Sequence, residues 1–325
     1  MMRRMRILII GGTQFMGREI VQRLITRGHD VSILHRRDRH DLGPGVGNLQ
    51  ADRSDLARVS DLLKRGRFEA VFDLAYDWQK GTTAEEVEAA ARSCGDQLHR
   101  YVFMSSIAVY GPGLDHRETD KLAPDDAADP YVRHKVTAER LLFRLHSESG
   151  FPVTTFRPPF VHGPHQPFYR EQFFWDRLFD RRPIVLPDGG AGAMQWAYVS
   201  DVAEACVRAM EVPGAAGEAF NIGHVEPTTQ RSFIETLARV AGLEPTLVAV
   251  SRERILAAGG QLAGPPGLYF GQYLDLPPHT SIIEKAPRLL GVTPTPFEEA
   301  LRLGFEWYRT QPRRTADYAL ENRLL

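Results

Sequence analysis

Tyr131 and Lys135 stand four residues apart, and Ser106 precedes them by 25 and 29 positions. On a helix, residues i and i+4 share one face. The ammonium of Lys135 can then hold down the phenol pKa of Tyr131, ordinarily near 10. Ser106 closes the apolar run Tyr101-Val102-Phe103-Met104-Ser105-Ser106, which puts its hydroxyl at a strand end within reach of the same spot. A phenol that gives or takes a proton near neutral pH is what carbonyl–alcohol interconversion requires. Ser/His/Asp hydrolysis is a poorer match, because no Gly-x-Ser-x-Gly elbow is present.

A second constellation lies at the start of the chain. The strand-like run Arg6–Ile10 leads straight into Gly11-Gly12-Thr13-Gln14-Phe15-Met16-Gly17, and a helical stretch follows. Glycine at 11 permits a tight turn, and glycine at 17 permits close helix–strand packing. The amides opening the helix then face a pyrophosphate. Gln14 replaces the middle glycine of the usual three, and such a turn can also be only a turn; its place at the first strand-to-helix junction favours a dinucleotide. The second strand ends Leu34-His35-Arg36-Arg37, with no acid before Asp38. A carboxylate there would hold the ribose 2′-hydroxyl of NAD, whereas arginine suits the 2′-phosphate of NADP. NADP is therefore expected over NAD, with a solvated basic loop as the alternative. Asp52 either bonds the adenine amino group or caps the helix that follows.

Elements that position these residues are legible in the periodicity. Strands are expected at Arg6–Ile10, Asp30–His35, Asn48–Ala51, Ala70–Leu74, Tyr101–Ser106 and Val153–Arg157. Helices are expected at Phe15–Arg27, Ser54–Arg65, Ala84–Cys94 and Tyr131–Ser149. Such alternation implies an α/β fold with a doubly wound parallel sheet. After Arg157, prolines 158, 159, 164, 167, 183 and 187 break the pattern, before helices near Val202–Met210, Arg231–Val240 and Pro296–Thr310. Residues 1–157 read mainly as the nucleotide-binding domain, its sheet completed by parts of 158–223. Residues 158–325 read mainly as a smaller C-terminal α/β lobe over the carboxyl ends of the strands. Gly259 to Gly271 reads as a loop.

With 40 Lys+Arg against 41 Asp+Glu, the charge balance favours neither nucleic acid nor a membrane surface as main partner. Cys94 and Cys206 have no metal-type spacing, so no metal is expected and a reducing cytoplasm is. The apolar run after Arg6 stops at Gly11, too short for a signal core, and no run reaches the roughly 20 residues of a membrane span.

With the glycine loop, Ser106 and Tyr131/Lys135 in this order, the chain resembles the extended short-chain dehydrogenase/reductases, the NAD(P)-dependent epimerase/dehydratase-like group, over essentially its whole length. The matching segments are Ser105 to Gly111, Pro130-Tyr131 through Lys135 and Glu139, Arg157 to Pro164, Tyr198 to Ala203, and Phe220-Asn221-Ile222-Gly223. The loop is similar to that of an atypical branch that includes chloroplast RNA-binding relatives. The resemblance implies a Rossmann domain with Tyr131 as general acid/base, Ser106 orienting the substrate oxygen, and Lys135 on the nicotinamide ribose. It also implies a cofactor lined by Gly11, Thr13, Gln14, Phe15, Met16, Gly17, His35, Arg36, Arg37, Asp52, Arg53, Leu74, Ala75 and Tyr76, with Pro158 to Val161 behind the nicotinamide.

Departures from that pattern narrow the expectation. Ile107 and Ala108 occupy the places of the acids that dehydratases and decarboxylases of this kind carry, and Met194 the place of a diphosphate-binding arginine. Arg170, Arg177 and Arg252 can substitute, but read first as solvated. His162 and His165 sit where substrate is expected, either as a second acid/base or as ordinary loop histidines. The aromatic cluster Phe168, Tyr169, Phe173, Phe174 and Trp175 reads first as core. The expected activity is an NADP-dependent epimerase or reductase on a sugar or nucleotide-sugar-like small molecule, and the resemblance implies a homodimer, for which helices Ala84–Cys94 and Tyr131–Ser149 are available. The rival is an RNA-binding or regulatory relative that kept the fold.

Overall fold

Seven parallel strands form the main sheet, in the order Glu218–Asn221, Val153–Arg157, Arg100–Met104, Ala70–Asp73, Arg6–Ile10, Asp30–His35 and Gly47–Gln50. They belong to a computed structural model that describes residues 3–260 and 276–325. A parallel sheet is covered on both faces, so its strands are apolar throughout rather than alternating. Ile7 to Ile10 and Ala70 to Phe72 are accordingly all buried. One face packs on helices Phe15–Thr26 and Val199–Glu211 through Ile20, Leu24, Val202 and Cys206. The other packs on Leu56–Gly66, Ala84–Arg92 and Pro130–Ser149 through Val59, Leu63, Val87 and Leu142. From Arg6–Ile10 the chain builds outward in one direction, then returns to the other side with Ala70–Asp73. A crevice opens at the carboxyl ends where that direction reverses.

Several element ends differ from expectation by a few residues, and two of them bear on the site. The strand expected to run to Ser106 stops at Met104. Ser106 leaves the sheet in an extended conformation, and its hydroxyl accepts from the Ala108 amide at 3.2 Å to open the short 3-10 turn Ile107–Tyr110. The helix expected from Ser54 begins at Leu56, because Asp55 caps it by accepting from the Arg58 amide. Asp52 is therefore not the cap; its carboxylate accepts from the Ser54 amide and hydroxyl at 2.9 and 2.7 Å.

The second lobe has its own core around Phe174, Trp175, Trp196 and Phe233. Its strands include Ala193–Met194 and His279–Ser281, in a four-stranded sheet, and Phe160–His162 paired with Trp196–Tyr198. The Pro-punctuated stretch contains a helix, Glu171–Phe179, that its mixed composition concealed; Phe173, Phe174 and Trp175 are lobe core. The loop expected over Gly259 to Gly271 lies, beyond Gly260, outside the described residues. Among the described residues, no helix is long and apolar enough to cross a membrane.

A buried polar network fastens the Tyr131 helix to the sheet. Glu139, fully buried on that helix, pairs with Arg157 at the end of its strand. Arg157 also donates to the Tyr110 hydroxyl at 2.6 Å, and that hydroxyl donates to Asn221 at 2.7 Å.

Candidate active site

A cleft of about 620 Å³ lies at the carboxyl ends of the main sheet. Gly11, Thr13, Gln14, Phe15, Met16, Gly17, His35, Arg36, Arg37, Asp52, Arg53, Leu74, Ala75, Tyr76, Pro158 and Val161 border it, together with Ser106, Tyr131 and Lys135. The tertiary fold thus brings the two constellations, distant in sequence, to one cavity.

At the glycine loop the absence of side chains is a steric requirement. Gly11 has φ +93°, and a Cβ there would stand 3.0 Å from that of Ala75. A Cβ on Gly17 would lie 2.3 Å from the Gly11 carbonyl oxygen, and one on Gly12 would lie 2.5 Å from Ile33 Cγ2. The helix therefore starts tight against the turn, leaving a bare backbone cradle of the kind a pyrophosphate fills. Gln14 has φ −133°, ordinary for any residue, which is why glycine is dispensable there. Phe15, buried at φ +43°, carries the local strain instead.

Farther along, the basic end of the second strand is only partly committed. Arg36 reaches Asp77 at 3.2 Å and is otherwise exposed, and His35 bonds Asn48 at 2.6 Å. Arg53 is different: its guanidinium is paired in bidentate fashion with buried Asp73, whose carboxylate also accepts from Tyr101. Its charge pins the strand end that leads into Leu74-Ala75-Tyr76.

At the other end, Asp129 caps the helix by accepting from the Tyr131 amide at 2.8 Å, and the side chains of Tyr131 and Lys135 share the cleft-facing side. Ser106 and Tyr131 are joined by a side-chain hydrogen bond. Lys135 donates to the Met104 carbonyl at 2.7 Å, and its Nζ lies 5.0 Å from the Phe103 ring centroid and 5.9 Å from that of Tyr131. Burial draws the Lys135 ammonium down to about 8. The expectation that Lys135 lowers the Tyr131 pKa is corrected by the structure. Burial pushes the phenol above its ordinary value; the Ser106 hydrogen bond and the charge of Arg170 pull the other way, and Asp129 adds to the rise. The reason is positional, since Lys135 spends its proton on a strand-end carbonyl beneath the rings.

Two cleft residues, Trp78 and His279, carried no sequence signal. Trp78 stacks on Tyr131, with centroids 5.2 Å apart and planes 13° from parallel, while Tyr76 meets the same ring edge-on at 4.9 Å. His279, on the lobe strand His279–Ser281, also borders the cleft. Arg170 was read as solvated, yet it is only 7% exposed and borders the cleft. Its guanidinium donates to the Val161 carbonyl at 2.9 Å and lies 5.2 Å from the Phe168 ring centroid. Arg177, read the same way, is buried in an ion pair with Glu321, whereas Arg252 is at the surface, bonded to Asp188.

His162 and His165 do not border the cleft. His162 is fully buried in the lobe, beside Trp196 and Tyr198, and its Nε2 lies 2.8 Å from His224 Nε2. Because His224 Nδ1 faces the Thr295 carbonyl, which only accepts, His224 Nε2 is the acceptor and His162 the donor. His165 sits at φ +62° on the outer side of the glycine loop, its ring against Trp307. Neither is placed to meet a substrate at Tyr131.

The histidine pair has a consequence for stability. Burial holds His162 well below its ordinary pKa and brings His224 to about 4. A folded pKa below the unfolded value of 6.5 leaves stability intact above pH 6.5 and removes it as pH falls toward 4. At pH 4.5 the loss through His224 alone is about 2.5 kcal/mol. Denaturant unfolding of His224→Gln should therefore show a flatter acid limb than the parent chain; superimposable profiles would contradict the assignment.

The comparisons with known proteins agree with this geometry. The chain is 30% identical over 262 residues to the chloroplast stem-loop binding protein of 41 kDa b of Arabidopsis thaliana, covering 75% of this chain and 65% of that protein. It is 24% identical to the dTDP-D-glucose 4,6-dehydratase of Mus musculus, covering 97% and 92%. The UDP-glucose 4-epimerase of Thermus thermophilus, solved with NAD, shares the fold at a TM-score of 0.71 and 23% identity, covering 94% of this chain and 99% of that one. Residues 7–223 match the model of the NAD dependent epimerase/dehydratase family, and the chain belongs to that family.

Proposed function

We propose that this protein is an NADP(H)-dependent epimerase or reductase acting at a carbonyl/alcohol carbon of a sugar or nucleotide-sugar-like small molecule. The observation that carries the reading is the meeting of Tyr131, Ser106 and Lys135 with the glycine cradle in one cleft. A bound nicotinamide supplies or accepts the hydride. The chain does the rest: Ser106 holds the substrate oxygen beside the phenol, and Tyr131 donates its proton in reduction or removes one in oxidation. Lys135, bordering the same cleft, would hold the nicotinamide ribose. Ile107 and Ala108, buried beside Ser106, bring no proton-transfer group, which disfavours dehydration. Spectroscopy separates the remaining two activities: net change in nicotinamide absorbance on adding substrate means a reductase, and a return to the starting cofactor state means an epimerase.

The choice of NADP rests on Arg36 and Arg37. A charged hydrogen bond contributes about 1.5–3 kcal/mol. Replacing both with alanine should weaken NADP+ binding about 10- to 100-fold and leave NAD+ nearly unchanged, as read by calorimetry. Equal losses for both dinucleotides would remove the basis for the preference. The homodimer built on Ala84–Arg92 and Pro130–Ser149 remains part of the proposal, with solution light scattering as its test.

A second reading, binding of an RNA stem-loop, is favoured by the name of the plant relative. Salt-dependent retention of stem-loop RNA, with no nicotinamide turnover, would place it first.

A further inference from the structure

The glycine loop has a second space on its outer side. A chamber of about 510 Å³ is bordered there by Arg18, Arg39 and Asp41, and by His165 and Trp307 of the second lobe. Thr13, Gln14, Phe15 and Arg37 border both this chamber and the cofactor cleft. The two spaces therefore meet at the loop, beside the end of the strand Asp30–His35. That strand end is where the adenosine 2′-oxygen of a dinucleotide is read. A phosphate on that oxygen needs room and unspent donors, and the shared mouth offers both. Most arginines around it are already committed. Arg36 pairs with Asp77 at 3.2 Å, Arg39 with Asp38 at 3.7 Å, and Arg18 with Asp41. Among the described residues, no carboxylate pairs with Arg37. Gln14 is the other unspent group. It stands at the N-cap of Phe15–Thr26, where Ser, Thr, Asp or Asn usually serves, yet its side chain makes no capping bond. Helix capping thus does not account for a glutamine here. Its carboxamide and the Arg37 guanidinium both donate N–H groups, and phosphate oxygens accept them.

We infer that Gln14, the residue in place of the middle glycine, is a cofactor-specificity residue: with Arg37 it seats the 2′-phosphate of NADP at the mouth between cleft and chamber. This deepens the choice of NADP and rests on it. The test is calorimetric and needs no turnover. Adenosine 2′,5′-bisphosphate and AMP, which differ only in the 2′-phosphate, are titrated into the full chain, and the ratio of their affinities is read. The native chain should favour the bisphosphate by about 30-fold or more, from one charged and one neutral hydrogen bond. Gln14→Met, which keeps the side chain's bulk without its donors, should cut that ratio about three- to tenfold. Gln14→Glu, which sets a carboxylate against the phosphate, should cut it further. Arg37→Ala should cut it about tenfold or more, and Arg36→Ala, whose guanidinium is turned to Asp77, should cut it less. Gln14 and Arg37 are both exposed, so these variants keep the core intact. An unchanged ratio in Gln14→Met and Gln14→Glu overturns the inference, even where both nucleotides bind more weakly, because glutamine would then serve the pyrophosphate cradle alone. That result, with the native preference intact, leaves the choice of NADP standing on other cations. Equal or undetectable binding of the two nucleotides by the native chain overturns the inference and the choice of NADP together.

Discussion

Tyr131→Phe should lower turnover by about 10²- to 10⁴-fold while leaving dinucleotide affinity unchanged. The substitution removes one hydroxyl from the cleft; the ring, its stack with Trp78 and its edge contact with Tyr76 all remain. The cradle at Gly11 and Gly17 is unaffected, so binding and chemistry separate cleanly. The raised pKa of the phenol adds a directional expectation. Reduction needs the protonated tyrosine, present throughout the neutral range, so reductive kcat/KM should be flat there and fall only at high pH. Oxidation needs the phenolate, so oxidative kcat/KM should climb as pH rises through neutrality. Full activity in Tyr131→Phe, or oxidation independent of pH across that range, would refute the assignment.

Glu139→Ala should destabilise the fold by about 3–5 kcal/mol, because it leaves the Arg157 guanidinium buried without its carboxylate. The cost extends to the site. Glu139 lies two helical turns beyond Tyr131 on the same helix, and Arg157 ties that helix through Tyr110 and Asn221 to the edge strand Glu218–Asn221. Loss of the pair should also lower kcat, since the phenol is positioned by the helix it unfastens. Replacing both partners by apolar residues, Glu139→Leu with Arg157→Met, should recover much of the stability. Urea unfolding of both variants beside the native chain tests this, and a Glu139→Ala midpoint equal to the native one would contradict it.

Legibility in the sequence followed the range of the forces involved. The glycine loop could be read because Gly11 and Gly17 answer local constraints, a turn with positive φ and a helix start pressed on a backbone oxygen. The Tyr131/Lys135 spacing could be read because helix geometry alone puts both side chains on one face. Strands such as Arg6–Ile10 and Val153–Arg157 were visible as apolar runs, since a parallel sheet buries both faces. What escaped depended on how the second lobe lies on the first. Arg170 resembles a solvated arginine until Phe160 and Phe168 close around it. His162 reads as a substrate residue until the pairing of Phe160–His162 with Trp196–Tyr198 sets it in the lobe core against His224. The sign of the Tyr131 shift escaped for a similar reason. Spacing brings Lys135 near the ring, but only the tertiary structure supplies the Met104 carbonyl that holds its ammonium beneath it.

The central claim is that the cleft holds a nicotinamide dinucleotide and passes a proton through Tyr131. Its most direct test is to mix the chain, loaded with NADP+, with a panel of sugars and nucleotide sugars and follow nicotinamide absorbance in a single turnover. The account predicts formation of the reduced cofactor, transient or lasting, in the parent chain and none in Tyr131→Phe. Failure of the chain to bind either dinucleotide, or an identical signal in Tyr131→Phe, would contradict it.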